Sequence, residues 1–415
     1  MKIAKLYPLN ILLLVLTLLI LTDTTARAAT CSVPSLGYPT IQSAVNDSTC
    51  TTINVAPGVY PENVSINRSL TLNGAQAGQT VAARTAGGAL ESTLQGANPT
   101  GSMPVIAINA TNVTVDGFTI RNSVKANAAI GVNIKGISND ALIRYNIFDG
   151  INTLEAGPTG VAQAIFLESG PIRIEIGQNQ IQNVAGSQAA RAIFIGDGDA
   201  INLTDNVYIH DNTITGITST LGGAYGLLVL TGAGTSALFV TLNDLSNIEG
   251  ATLVHAVGLE SDTPAVLVYL NNFANLIGPA TDNIAVWFAN NPSTFGPLTA
   301  VQNNNFNLTV MSYGIGIGPG LFPINEPFDG QCNWWGSPDG PGPVGPGHGA
   351  RVSPDVAYSP WAIAPGVGTH YICAGNNVPT TEAQCKNGGW TRTVRSDGTT
   401  FKNQGDCVQY VNNAH

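Results

Sequence analysis

An asparagine flanked by alternating apolar residues recurs six times at nearly constant spacing, and this recurrence limits what the chain can fold into. The asparagines are Asn146, Asn179, Asn212, Asn243, Asn271 and Asn304, at steps of 33, 33, 31, 28 and 33 residues. Three places before them stand Ile143, Ile176, Ile209, Val240, Val268 and Val301; two places after stand Phe148, Ile181, Ile214, Leu245, Phe273 and Phe306. A fixed period of this size identifies stacked supersecondary units, each burying its apolar edge on the next. The apolar residues alternate instead of recurring at helical spacing, so the segments are strands. One chain winding once per period is a single-stranded parallel β-solenoid, an all-β fold.

A second series runs half a period away. Gly131-Val132-Asn133-Ile134, Ala164-Ile165-Phe166-Leu167, Ala192-Ile193-Phe194-Ile195 and Gly226-Leu227-Leu228-Val229 are followed by Ala256-Val257-Gly258-Leu259, Ala285-Val286-Trp287-Phe288 and Gly314-Ile315-Gly316-Ile317. Two strand columns on one period require at least two sheets. The asparagine column itself predicts a stack of amides at a turn, about 4.8 Å apart from coil to coil, bonded to one another and to backbone.

The asparagine repeat, the opening Thr40-Ile41-Gln42 with Pro57-Gly58-Val59-Tyr60-Pro61-Glu62-Asn63, and the closing Asn333-Trp334-Trp335-Gly336 together resemble right-handed parallel β-helix proteins of the pectin-lyase-like group. The likeness spans roughly residues 38 to 361 and is strongest to exported, non-catalytic repeat proteins with a C-terminal asparagine-tryptophan box. It implies a right-handed coil, in keeping with the handedness of parallel crossovers. It does not imply an activity, because one fold hosts many.

Residues 1–28 read as a secretory signal peptide: Lys2 and Lys5, an apolar run from Ile11 to Leu21, then Ala26-Arg27-Ala28. No second apolar stretch of membrane length follows, so no membrane span is expected after cleavage. The whole chain carries a formal charge of −10. Without Lys2, Lys5, Arg27 and Asp23, its 16 basic and 26 acidic residues become 13 and 25, a charge of −12. That surface argues against nucleic acid and anionic membranes as partners, and more weakly against polygalacturonate. Six cysteines in an exported chain predict disulfides. Proximity favours Cys31–Cys50 and Cys385–Cys407, leaving Cys332 with Cys373, among the fifteen pairings open to six cysteines. No CxxC or His-x-His spacing occurs, so no zinc site is expected.

The ends differ from the body. Ile41, Ala44 and Val45 share a helical face, predicting an N-terminal helical cap over the open solenoid end. After Leu321, prolines and glycines are expected to end the strand ladders, with Asn333 and Trp335 closing the last coil. The solenoid with its caps is assigned to 31–365, and 366–415 to a small disulfide-tied tail.

Chemistry is sparse. Gly58-Val59-Tyr60-Pro61-Glu62 resembles the opening of pectin methylesterases, but no matching aspartate motif follows Gln163. Gly347-His348-Gly349 resembles a polygalacturonase motif but lies beyond the last coil, and His255 is read as preceding a strand. Period-two alternation turns Asn133, Phe166, Phe194, Leu228, Gly258, Trp287 and Gly316 outward on the second strand series. Phe166, Phe194 and Trp287, with Arg191 entering the same series, are therefore the candidate ligand-binding residues. Aligned exposed rings suit sugar rings or a protein surface. Glu168 and Asp197, one coil apart, are the candidate catalytic carboxylates, within the separation glycosidases use. Asp197, Asp199 and Glu168 form an oxygen-only set that suits calcium. Against both readings, Gly-Asp-Gly-Asp is ordinary turn chemistry, and solvated acids at turns are common. No cofactor other than calcium is implied.

These features predict an exported solenoid, secreted or on the cell surface, that binds extracellular carbohydrate or a surface protein without catalysis. A polysaccharide lyase or glycoside hydrolase is the second reading, and a structural cell-surface protein the third.

Overall fold

A computed structural model describes residues 29–136, 138–153, 157–196, 205–230, 237–260, 265–289, 299–309, 311–318, 328–343, 347–368, 371–373, 378–386, 388–391, 393, 395, 399 and 401–413. The signal peptide assigned to 1–28, and Asp197 and Asp199, lie outside them.

Among the described residues the strands form three parallel sheets of 12, 9 and 11 strands, here sheets 1, 2 and 3 in the order the chain visits them. One coil runs from Leu142–Arg144 in sheet 1 through Ile147–Asn152 in sheet 2 to Val161–Glu168 in sheet 3. Within sheet 1, Ile143, Ile176, Ile209, Val240, Val268 and Val301 stand in register. Sheet 2 aligns Phe148, Ile181, Ile214, Leu245, Phe273 and Phe306 in the same way. Sheet 3 aligns Val132, Ile165, Ile193, Leu227, Val257, Val286 and Ile315. All three columns are fully buried and merge into one continuous core. The sequence required at least two sheets; the asparagine breaks its own repeat into two strands and makes a third.

How it does so is visible at the corner between sheets 1 and 2. Asn212 is 1% exposed. Its Nδ2 donates to the Asn243 Oδ1 at 2.9 Å and to the Ile176 carbonyl at 2.9 Å. Its Oδ1 accepts from the Asn179 backbone N–H and Nδ2, both at 3.0 Å. The same pattern repeats from Asn146 to Asn304 and ends on Asn333. Each buried amide thus satisfies backbone groups the corner would otherwise orphan. The residue before each asparagine is left-handed: Tyr145, Gln178, Asp211, Leu242, Leu270, Asn303 and Cys332 have φ between 51° and 61°. Such a conformation is unfavourable for a leucine or tyrosine, and here the ladder imposes it. A second left-handed column, Gly150, Asn183, Gly216, Asn247 and Asn275, kinks sheet 2 four residues after each asparagine. Because of that kink, Phe148 and Ile151 both point inward although three residues separate them.

The helix α1 (Ile41–Asn46) closes the first end with Ile41, Ala44 and Val45 buried in the core. Its terminal backbone groups are satisfied from the opening coil. The Glu62 carboxylate accepts from the Ile41 and Gln42 N–H groups at 3.0 and 3.1 Å. Arg68 donates to the carbonyls of Ala44, Val45 and Asp47 at the other end. The Pro57–Asn63 motif therefore serves the cap through Glu62. The loop after Asn73 is held by a buried pair, Arg84 and Glu91 at 2.7 Å.

At the far end the ladders do not stop where proline and glycine become frequent. Two-residue strands at Phe328–Asp329, Pro341–Gly342 and Val356–Ala357, with Gly349–Val352, still extend sheets 1 and 3. Strands this short need few ladder donors, so proline is tolerated in them. Trp335 is fully buried and lies 5.1 Å from the Phe306 ring, plugging the last coil. The three disulfides are Cys31–Cys50, Cys332–Cys373 and Cys385–Cys407. The last joins α2 (Glu382–Cys385) to α3 (Gln404–Asn413) around a small separate core of Cys385, Phe401, Cys407 and Val411. Among the described residues no helix is long and apolar enough to cross a membrane.

Candidate functional site

The outer face of sheet 3 gathers most of the residues singled out by sequence. Two outward columns run along it. The first is Gln163, Arg191, Tyr225 and His255, each paired with the next in parallel register. The second, three residues on, is Phe166, Phe194, Leu228, Gly258 and Trp287. Both point outward because the small residue between them (Ala164, Ala192, Gly226, Ala256) turns into the core and leaves the pairing register. A Cβ on Gly226 would sit 2.5 Å from the Ala256 carbonyl and 2.7 Å from the Leu245 side chain, so this coil takes glycine where the others have alanine.

Phe166 and Phe194 stack at 5.0 Å with 17° between their planes, and the Arg191 guanidinium lies 4.2 Å from the centre of the Phe194 ring. The Tyr225 ring meets His255 edge-on at 5.8 Å, and His255 stacks on Trp287 at 5.4 Å. Arg191 and Tyr225, neighbours in one column, link the two groups into a continuous row of planar side chains over five coils. The row is less exposed than alternation alone predicts. Phe194 is only 6% and Leu228 1% exposed, whereas Phe166, Arg191, Tyr225, Trp287 and Glu260 are half-buried. Phe194 is covered because its ring folds flat over Gly196, where a Cβ would lie 2.1 Å from the ring, and Arg191 closes it from outside. Trp287 likewise lies against Gly316 of the next coil.

The polar members are unusual in what they lack. Gln163 Oε1, Arg191 Nε and both ring nitrogens of His255 are enclosed and have no hydrogen-bond partner. Burial pushes the His255 pKa down to about 4, against a small opposing pull from Asp282, so the ring is neutral. Burial pushes the Tyr225 hydroxyl up to about 12, helped by Glu260. It raises the Glu260 carboxyl as well, with Arg191 opposing, and lowers Arg191, with Tyr225 and Glu260 opposing.

Glu168 sits at the end of its strand and faces Lys135 of the preceding coil at 3.8 Å. Its register successor is Gly196, whose N–H bonds the Leu167 carbonyl. Among the described residues no group of three histidine, cysteine or carboxylate side chains could hold a metal ion. His255 lies inside the strand Leu253–Leu259, not before it. Its role and that of Tyr225 escaped the sequence reading because they occupy the first outward column, where aromatic and polar residues mix without a repeat. Asp339 and His348, exposed in the C-terminal wrap, bond each other, and Asp339 also accepts from the neighbouring Ser337.

No family model matches the chain, and neither a curated protein nor a solved structure matches it. The parallel solenoid is thus established by the structure, and the pectin-lyase-like likeness rests on the sequence motifs alone.

Proposed function

We propose that the protein is an exported solenoid that binds carbohydrate on the outer face of sheet 3 without transforming it. The observation that carries this reading is the row Phe166–Phe194–Arg191–Tyr225–His255–Trp287: planar side chains aligned along the axis, of which Phe166, Arg191, Tyr225 and Trp287 are half-buried and reach the surface. Planar rings offer a sugar its apolar face. Export is supported by three disulfides, which persist in oxidising compartments. The acidic chain and the mixed charges of this face do not fit nucleic acid.

An enzymatic reading draws on one observation, the raised pKa of half-buried Glu260 beside Arg191. Glu168 with Asp197 as paired carboxylates, or with Asp197 and Asp199 around calcium, belongs to that same reading. A glycan-array screen of residues 29–415, run beside a reducing-end assay and a melt with calcium or chelator, separates the two. Binding without new reducing ends supports the proposal. Cleavage that Glu260→Gln abolishes would replace it with the enzyme, and an array without a single hit would remove it.

A further inference from the structure

A slot of about 470 Å³ opens at the corner where sheet 2 turns into sheet 3, a volume within the range of small-ligand sites. It follows the axis across three coils, two steps of roughly 5 Å each. One wall is the outward column Thr218, Glu249 and Ile277, in parallel register. The opposite wall, two residues on, is Thr220, Ala251 and Pro279. Gly250 and Gly278 keep the floor between them low. A Cβ on Gly250 would sit 2.1 Å from the Leu253 carbonyl oxygen, and one on Gly278 2.8 Å from the Val254 side chain. The backbone ladder breaks in this floor. The Thr220 N–H donates to the Gly186 carbonyl and the Ala251 N–H to the Ser219 carbonyl, both at 3.2 Å. The same place on the next coil holds Pro279, which has no N–H to give. The Gly250 carbonyl therefore lacks the bond that its counterparts receive.

The slot thus offers acceptors. Glu249 is exposed, and neither register neighbour, Thr218 nor Ile277, is a cation. A carboxylate and a carbonyl accept hydrogen bonds only, while the hydroxyls of Thr218 and Thr220 give or accept them. Ile277, 47% exposed, and Pro279 make one end apolar. A fitting ligand carries a cationic donor, hydroxyls and an apolar face; an anion would meet Glu249 on a chain of charge −10. The slot also adjoins the aromatic row. Tyr225 lies over Gly223, where a Cβ would be 2.9 Å from its hydroxyl, and Gly223 is three residues beyond Thr220. Resting on the carbohydrate reading above, we infer that the slot is a subsite for an amino sugar with a free ammonium group. The Glu249 carboxylate and the Gly250 carbonyl hold the ammonium, and Ile277 and Pro279 pack on the ring.

The test compares a β-1,4-glucosamine tetramer with its fully N-acetylated form, the matching β-1,4-glucose tetramer and tetralysine. Titration calorimetry on residues 29–415 is run at about pH 6, where an amine is protonated and a carboxylate ionised. The free-amine sugar should bind at least about tenfold more tightly than the other two sugars and than tetralysine. Glu249→Gln should abolish that preference without moving the melting temperature, because the side chain is exposed. Pro279→Ala supplies an N–H to the Gly250 carbonyl and should weaken the free-amine sugar about threefold. Equal or tighter binding of the acetylated or glucose tetramer overturns this inference and leaves the carbohydrate reading standing. An amine preference that survives Glu249→Gln overturns the slot as its site, and unaltered binding by Pro279→Ala overturns the role of the Gly250 carbonyl. Tetralysine binding as tightly as the free-amine sugar replaces the saccharide with a basic peptide. If no sugar binds in calorimetry or on the glycan array, the carbohydrate reading itself fails, and this inference with it.

Discussion

Replacing Asn212 by alanine tests whether the asparagine ladder holds the corner between sheets 1 and 2. The side chain makes four hydrogen bonds: two donated by Nδ2, to Asn243 Oδ1 and the Ile176 carbonyl, and two accepted by Oδ1, from the Asn179 N–H and Nδ2. Not all of these losses are equal. Asn179 Nδ2 keeps the Ile143 carbonyl at 2.8 Å, and Asn243 Oδ1 keeps the Asn212 backbone N–H at 3.0 Å. The Asn179 N–H has no such alternative and would be orphaned in a column that is 0–2% exposed. One orphaned buried donor at about 1–3 kcal/mol and two further net bonds at about 0.5–1.5 kcal/mol each give a cost of about 4 kcal/mol. Urea unfolding under oxidising conditions should show that loss, and hydrogen exchange should show lost protection at Asn179 but not at Asn304, three coils further on. A shift below about 0.5 kcal/mol with the Asn179 amide still protected would refute the argument, because the amides would then be passengers of the corner and not its support.

Ile209→Asp puts a carboxylate between Ile176 and Val240 at a position 1% exposed, and should cost more than about 4 kcal/mol, read as lost expression or a collapsed melt. Leu242→Asn should stabilise by roughly 0.5–1 kcal/mol in the same urea assay, since Leu242 is 41% exposed at φ 58° and asparagine tolerates that conformation better. Removing the Cys31–Cys50 bridge with paired alanines should lower stability by about 3 kcal/mol, and non-reducing peptide maps of the wild type should show these two cysteines joined. Because the folded His255 has a pKa of about 4 against an ordinary 6.5, the unfolded chain binds the proton first, so its contribution is present above pH 6.5 and is lost as pH falls towards 4. That amounts to about 3 kcal/mol at a residue 3% exposed, and the stability difference between wild type and His255→Phe should change by this amount between pH 7 and pH 4; parallel pH curves would contradict a buried neutral ring.

Composition, period and alternation suffice to specify a parallel solenoid, because a repeated apolar column has only one economical way to be buried: against its own neighbours. The registers of Ile143 with Ile176 and of Val132 with Ile165 can be read directly from the spacing. So can the buried Trp335 plug; among the fifteen possible pairings, proximity favoured Cys31–Cys50 and Cys385–Cys407, and the structure joins these and the remaining Cys332–Cys373. Phe166, Phe194 and Trp287 can be placed on one face for the same reason, since period-two alternation is local.

The third sheet could not be read from that pattern. It depends on left-handed residues such as Tyr145 and Leu242, whose side chains carry no turn signal and whose conformation is imposed by amides bonding from coil to coil. The polar half of the site was hidden for a related reason. Gln163, Arg191, Tyr225 and His255 differ in chemistry, so no repeat marks them, and they become one column only when a core-facing small residue shifts the alternation by one. Whether their polar atoms find partners is a question about neighbours 28 to 34 residues away in sequence. Sequence determined that Phe166, Phe194 and Trp287 face out; only the stacked coils decided that Phe194 is covered, that His255 is neutral, and that polar atoms of Gln163, Arg191 and His255 are left without a bond.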